Sequence, residues 1–204
     1  MNRLLLFLLV FSPLTALTNS GGGFFSYHIH RDSHVAINGS TNINSFFCLS
    51  DSDFPRGSIV ADFLPGKNVL QFSDAQLDLM VSSFDCRNRM MNKDFQHALG
   101  GESNPYIQIR LLETRLLETH GTNRHDQMMA LVEIHINGVK KTTEVFIEML
   151  QDDDFNFRVR GSKTLRMSDF NIQAPSPGFG LIRVSDVIDI QFNLIVEASV
   201  ISLN

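Results

Sequence analysis

The chain has 204 residues, 43% of them hydrophobic, and a formal charge of −5. That charge is modest and unclustered, which excludes a nucleic-acid footprint, and the length suffices for one domain with a sizeable core. Seventeen phenylalanines with two tyrosines and no tryptophan give ring area without polar handles, a set that suits an apolar interior.

Residues 1–20 read as a signal peptide. Arg3 is the positive flank and Leu4 to Val10 the apolar run, and Ala16, Thr18 and Ser20 supply small residues for cleavage. The run is short and Pro13 follows it, so it does not read as a membrane span. Its removal takes one of the 17 basic residues and none of the 22 acidic ones, leaving about −6. The expected mature chain, 21–204, is a single exported domain, periplasmic or secreted. In an oxidising compartment Cys48 and Cys86 most simply form a disulfide, the alternative being two unpaired buried thiols.

After Gly21 to Gly23, Phe25, Tyr27 and Ile29 alternate with Ser26, His28 and His30. Period two is the mark of a strand with one dry and one wet face. Val35 and Ile37 lie on a second strand, and Asn42 to Leu49 carries the first cysteine. Asp51 to Gly57 reads as a loop, and Pro65-Gly66 as a turn between Ile59–Phe63 and Asn68–Phe72. Leu77, Leu79 and Val81 share one face of the next strand. The period then changes: Met91, Phe95, Ala98 and Leu99 recur at helical spacing until Gly100-Gly101, where a C-cap belongs.

Pro105 restarts extended structure, with Ile107 and Ile109 on one face. RLLET follows twice in tandem from Arg110, too few copies for a repeat architecture, and is taken as the outer end of that strand. Gly121 to Gln127 reads as a polar loop. Val132, Ile134 and Ile136 precede Asn137-Gly138, a hairpin signal, and Val145, Ile147 and Met149 return. Asp152 to Asp154 marks a turn before Phe155, Phe157 and Val159, and a loop with Pro175 and Pro177 leads to Ile190, Phe192, Leu194 and Val196. Eight or more strands, hairpin-length turns and one short amphipathic helix predict an all-β fold, an antiparallel barrel.

No serine motif, P-loop or zinc spacing occurs. His28 and His30 alternate with the apolar face and are expected to point to water. His120, His125 and Asp126 fall in the expected polar loop, and Asp152 to Asp154 lacks the spaced ligands that calcium needs. No cofactor, metal or catalytic residue is expected.

Three segments carry a resemblance to the YceI-like family: SHVAINGSTNINSFFCLSD (Ser33 to Asp51), RNRMMNKDFQHAL (Arg87 to Leu99) followed by NPYIQIRL, and Gly161 to Glu197. The two cysteines and the RLLET pair depart from the family pattern, so the chain resembles a divergent member. The resemblance implies a lipocalin-like barrel in an exported bacterial protein that encloses a long apolar molecule, an isoprenoid above all, without catalysis. The inward set expected to line it is Leu77, Leu79, Val81, Ile107, Ile109, Val132, Ile134, Val145, Ile147, Phe155, Phe157, Ile190, Phe192 and Leu194. The expected partner is thus a hydrophobic small molecule such as an isoprenoid, a quinone-like or another lipid. The rival reading is a barrel filled by these same side chains, acting through its outer surface as an envelope interaction protein.

Overall fold

A computed structural model describes residues 23–50, 54, 56–64, 67–120, 125–152, 156–176 and 180–201. The expected signal peptide lies outside the described residues, as do the Pro65-Gly66 turn, Asp153, Asp154 and Phe155. The strands are β1 (Gly23–Ile29), β2 (His34–Ser40), β3 (Ser45–Ser50), β4 (Arg56–Leu64), β5 (Val69–Ser73), β6 (Gln76–Met80), β7 (Phe84–Asp85), β8 (Tyr106–His120), β9 (His125–Ile136), β10 (Val139–Gln151), β11 (Asn156–Arg166) and β12 (Val187–Val200). One α-helix, α1 (Arg89–Ala98), separates β7 from β8.

These strands build eight staves of an up-and-down antiparallel barrel. Alternating apolar residues give each stave one face to bury, and closing the ring leaves no sheet edge along it. β1 and β2 lie end to end along one edge of β12, against Val196–Val200 and Asp189–Asn193 respectively. β3 and β4 follow β2 and β1 in the same way, and β5 and β6 share one edge of β8. β8 to β12 run unbroken, each paired with the next. The first three staves are therefore each interrupted midway. In the first, the four residues His30 to Ser33 stand opposite only Leu194 and Ile195, and Ser33 Oγ accepts from Ile195 N at 2.9 Å to hold the bend.

The tandem RLLET lies within β8, as a strand reading requires, and the register explains its odd period. A five-residue repeat would flip successive copies to opposite faces of a pleated strand. Each copy instead contains one irregularity, between Leu111 and Glu113 and between Leu116 and Glu118. Leu111 thus faces Val132 and Leu116 faces Met128, five residues on β8 matching four on β9. Equivalent leucines of both copies keep the inward face.

The helix end of the barrel gathers the β2–β3 hairpin, α1, the β9–β10 turn and the long β11–β12 connection. Asn88 caps α1, its Oδ1 accepting from the amides of Met90 and Met91 at 2.9 and 3.1 Å. Gly100, with φ of 94°, ends it in the left-handed conformation that glycine tolerates. The Asn137-Gly138 turn has positive φ at both residues (49° and 77°), as a two-residue hairpin of this hand demands. Asn137 also accepts from Asn104 Nδ2 at 3.5 Å and donates to the Asn171 carbonyl at 3.4 Å, tying the two connections together. Asn42 does the same across the end, donating to the Leu181 carbonyl (3.0 Å) and accepting from Arg183 N (2.8 Å).

Several boundaries differ from the sequence reading. Val81 opens a 3-10 turn, Val81–Ser83, because the third stave bends there into α1. His125 and Asp126 belong to β9, paired with Leu150 and Met149, since a polar strand end shows no alternation to read. The β11–β12 connection begins with an unforeseen 3-10 turn, Met167–Phe170, whose Met167 and Phe170 are buried.

Candidate functional site: the barrel interior

Register partners in an antiparallel ladder share a face, so the inward set can be followed around the ring. Leu77 and Leu79 face Ile109 and Ile107, and Ile109 faces Ile134. Val132 continues to Thr143, Val145 faces Ala130, and Ile147 faces Met128 and Gly161. Phe157 meets Val196, Val159 meets Leu194, and Phe192 and Ile190 meet Val35 and Ile37. Of the expected residues, Leu79, Val81, Ile107, Val132, Ile134, Val145 and Ile147 are buried, Leu77, Ile109, Ile190, Phe192 and Leu194 are half-buried against the same core, and Phe157 is half-buried.

Burial is uneven along the barrel axis. The largest fully buried side chains, Phe84, Phe170, Leu79 and Cys48, all lie toward the helix end. Phe84 packs obliquely on Phe95 of α1, with centroids 5.3 Å apart, and Leu99 is buried in the same core. In the distal half, Phe25, Leu116, Met149, Phe157, Val159, Leu194 and Val196 sit on the inward face yet stay half-buried. An inward side chain of a closed ring keeps accessible surface only where a water-sized sphere fits beside it.

Close packing recurs where an aromatic ring crosses a facing glycine. A Cβ at Gly161 would lie 2.5 Å from Phe192 Cζ and 2.8 Å from the Phe146 carbonyl, so only glycine lets that ring lie flat on β11. Beyond Ile147 and Gly161, toward the helix end, the β10–β11 ladder stops, and Lys163 Nζ donates across the gap to the Glu144 carbonyl at 2.8 Å.

The proposed disulfide is present: Cys48 of β3 is bonded to Cys86, which follows β7. It sits in the buried core two residues before the Asn88 cap, so it fastens the start of α1 to the second stave. Among the described residues no group of three or more His, Cys, Asp or Glu is placed to hold a metal. His28 Nδ1 lies 4.0 Å from Glu197 Oε2 and His30 Nδ1 3.3 Å from Asp32 Oδ2, with Asp32 N also donating to His30 Nδ1 at 3.3 Å. No helix of the described residues is long and apolar enough to cross a membrane.

Two carboxylates hold the helix end. Asp186 accepts from Ser168 Oγ (2.7 Å) and Ser168 N (2.8 Å), which, with Arg166 nearby, keep its carboxyl below the ordinary 3.8. Asp85 is lowered in the same direction by Asn92 and then by the Arg87 amide. A lowered folded value means that the contribution is complete above the ordinary carboxylate range and is lost as pH falls through the folded value. Stability, read as urea midpoints from neutral into acid, should fall over that range, and the Asp186→Asn variant should show a shallower fall. An unchanged slope in the variant would remove Asp186 from this account.

Sequence reading missed three groups at this site. Thr114 lies inside the barrel in a segment that looks like a charged strand end. Tyr27 reaches inward over Gly57 and donates to the Gln76 carbonyl at 3.1 Å, and burial raises its phenol above the usual 10.0. Asn137 is a clamp as well as a turn residue. Only the turn was visible locally.

An eight-stranded antiparallel ring with an apolar inner face and one plugged end defines a lipocalin-like barrel. No family model and no curated protein matches the chain. Among solved structures it is similar to BcnA of Burkholderia cenocepacia, with 18% identity and a TM-score of 0.57 over 80% of this chain and 95% of BcnA. It is likewise similar to a polyisoprenoid-binding domain from Saccharophagus degradans implicated in plant cell wall breakdown. There the identity is 11% and the TM-score 0.58, over 86% of this chain and 98% of that one. A YceI protein of Campylobacter jejuni matches at 16% identity and a TM-score of 0.47, over 74% and 83% of the two chains. The fold is that of the YceI-like barrels, as the sequence resemblance implied.

Proposed function

We propose that this protein binds a hydrophobic chain, an isoprenoid, a quinone-like molecule or another lipid, inside the distal half of its barrel. It works by sequestration or transport, making and breaking no bond. The observation that carries this reading is the run of inward apolar residues that remain half-buried, from Phe25 round to Val159 and Leu194. Each methylene moved from water into such surroundings gains about 0.8 kcal/mol, so a long chain binds without directional contacts. The name of the Saccharophagus neighbour, a polyisoprenoid-binding domain, points to the same ligand class. The disulfide and the apolar leader support export to the bacterial envelope, as a periplasmic or secreted protein after cleavage near residue 20.

The packing of Phe84, Phe170 and Leu79 favours the rival only for the helix end, where the barrel is filled by its own side chains. Purified protein should release a co-purifying lipid on solvent extraction, detected by mass spectrometry, or else take up an offered prenyl chain. A clean extract together with no uptake assigns the barrel to a filled-core protein acting through its exterior.

A further inference from the structure

We propose that a hollow on the outer wall of the barrel, spanning β10, β11, β12 and β2, is a binding site for a neutral saccharide. It is separate from the interior and independent of what fills it.

Register places the hollow outside. Val145 and Ile147 of β10 and Val35 and Ile37 of β2 are buried, and between them Gly161 faces Phe192. The residues that alternate with these take the solvent face. Two neighbouring rungs of that face line the hollow. In one, Glu148 faces Arg160, Arg160 faces Asn193, and Asn193 faces His34. In the next, Ser162 faces Gln191 and Gln191 faces Ala36, and Phe146 of β10 lines the same hollow.

A sheet closed into a ring is convex on its outside, so a hollow there needs a cause. Both flanks supply one. The last pair of the β10–β11 ladder is Ile147 with Gly161, so Phe146 and Ser162 stand where the two strands part. On the other flank β2 begins at His34, directly after the bend His30 to Ser33. Gly161, which has no side chain, lines the space between these flanks. The cavity measures about 440 Å³, within the range of small-molecule sites, about 300–1,000 Å³.

The lining selects the ligand class. Its carboxylate and guanidinium, Glu148 and Arg160, face each other and together offer no net charge to an ion. Asn193 Oδ1 accepts from Arg160 Nε at 3.4 Å, and Gln191 Nε2 donates to Asp189 Oδ2 at 3.0 Å, contacts that orient both amides. Carboxylate, guanidinium and amide are planar groups with two hydrogen-bonding ends. Two neighbouring hydroxyls of a sugar ring match such a pair of ends. Phe146, 41% exposed, adds an aromatic ring whose negative face attracts the C–H bonds on one side of a pyranose. An apolar chain laid here would desolvate the polar groups without replacing their bonds to water.

The test is an NMR titration of the isotope-labelled full-length protein with maltose, cellobiose and N,N′-diacetylchitobiose, with phosphorylethanolamine as a zwitterionic control. At least one sugar should shift the amide resonances of Phe146, Ser162 and Gln191 saturably. Phe146→Ala should weaken that sugar about tenfold, the worth of one stacked ring. Gln191→Ala should weaken it about fivefold, the worth of one ordinary hydrogen bond. Both side chains are exposed, so the melting temperature should stay near that of the parent. If Phe146→Ala does not fold, Gln191→Ala carries the test alone. Absence of a saturable shift with all three sugars, shifts confined to other residues, or unchanged affinity in the folded variants overturns the proposal. Saturable shifts at the hollow from phosphorylethanolamine alone also overturn it and assign the Glu148–Arg160 pair to a zwitterion.

Discussion

Replacing Cys48 and Cys86 together with alanine is expected to lower stability by about 4 kcal/mol, on the loop-entropy model for a bridge of this span. The two residues are 38 positions apart, and the closed loop includes the whole of β4, β5 and β6. The bridge also acts where pairing is thinnest. β3 and β7 share only two register pairs, Leu49 with Asp85 and Ser50 with Phe84, among the described residues. Beyond them the chain leaves the barrel wall to form α1. Without the bond, the second stave and the start of the helix are held by those two pairs and by packing. Urea denaturation of the double variant against the parent measures the loss, and lipid retention should fall with it as the helix end loosens. If both quantities were unchanged, the bridge would have no structural role in closing the barrel.

Phe84→Ala is the second large effect, with an expected loss of about 3–5 kcal/mol. The ring is 2% exposed, lies beside the 3-10 turn that ends the third stave, and contacts Phe95 across a 5.3 Å centroid separation. Its truncation leaves a hole at the plugged end of the barrel that Leu79, Val81 and Leu99 can only partly fill. Phe84 stands two residues from Cys86 and opposite Ser50, two residues beyond Cys48, so it stabilises the same seam as the disulfide. The triple variant should therefore lose less than the two separate losses combined, since neighbouring groups do not act independently. A denaturation cycle reads this directly. Additivity within about 0.5 kcal/mol would place the ring and the bridge in separate cooperative contacts.

Much of the fold was legible because its signals are local. Alternation in β9, β10 and β12 marks which residues share a face, since a pleated strand turns its side chains every second residue. Asn137-Gly138 announced a hairpin through its tolerance of positive φ, and Gly100 announced the end of α1 for the same reason. The pairing of Cys48 with Cys86 followed from there being two cysteines and an apolar leader.

The bends were not legible. Nothing in His30 to Ser33 marks them as four residues set against two; that count exists only once β12 lies alongside. Thr114 was hidden for a related reason. Reading RLLETRLLET at period two without irregularities puts Thr114 opposite in face to Leu111, and only the bulge between Leu111 and Glu113 turns it inward. His125 and Asp126 looked like loop because both are polar, yet their backbones pair with β10.

By itself, then, the sequence determined which residues prefer to be dry, where the chain reverses, and that one helix interrupts a set of strands. Those properties belong to single residues and their immediate neighbours. The tertiary structure decided that the strands close into a ring, that one end is plugged by Phe84 and Phe170, and that Thr114 is buried on the inner face. Each of these depends on register between segments far apart in the chain, and a shift of one residue would reverse which side chains meet inside.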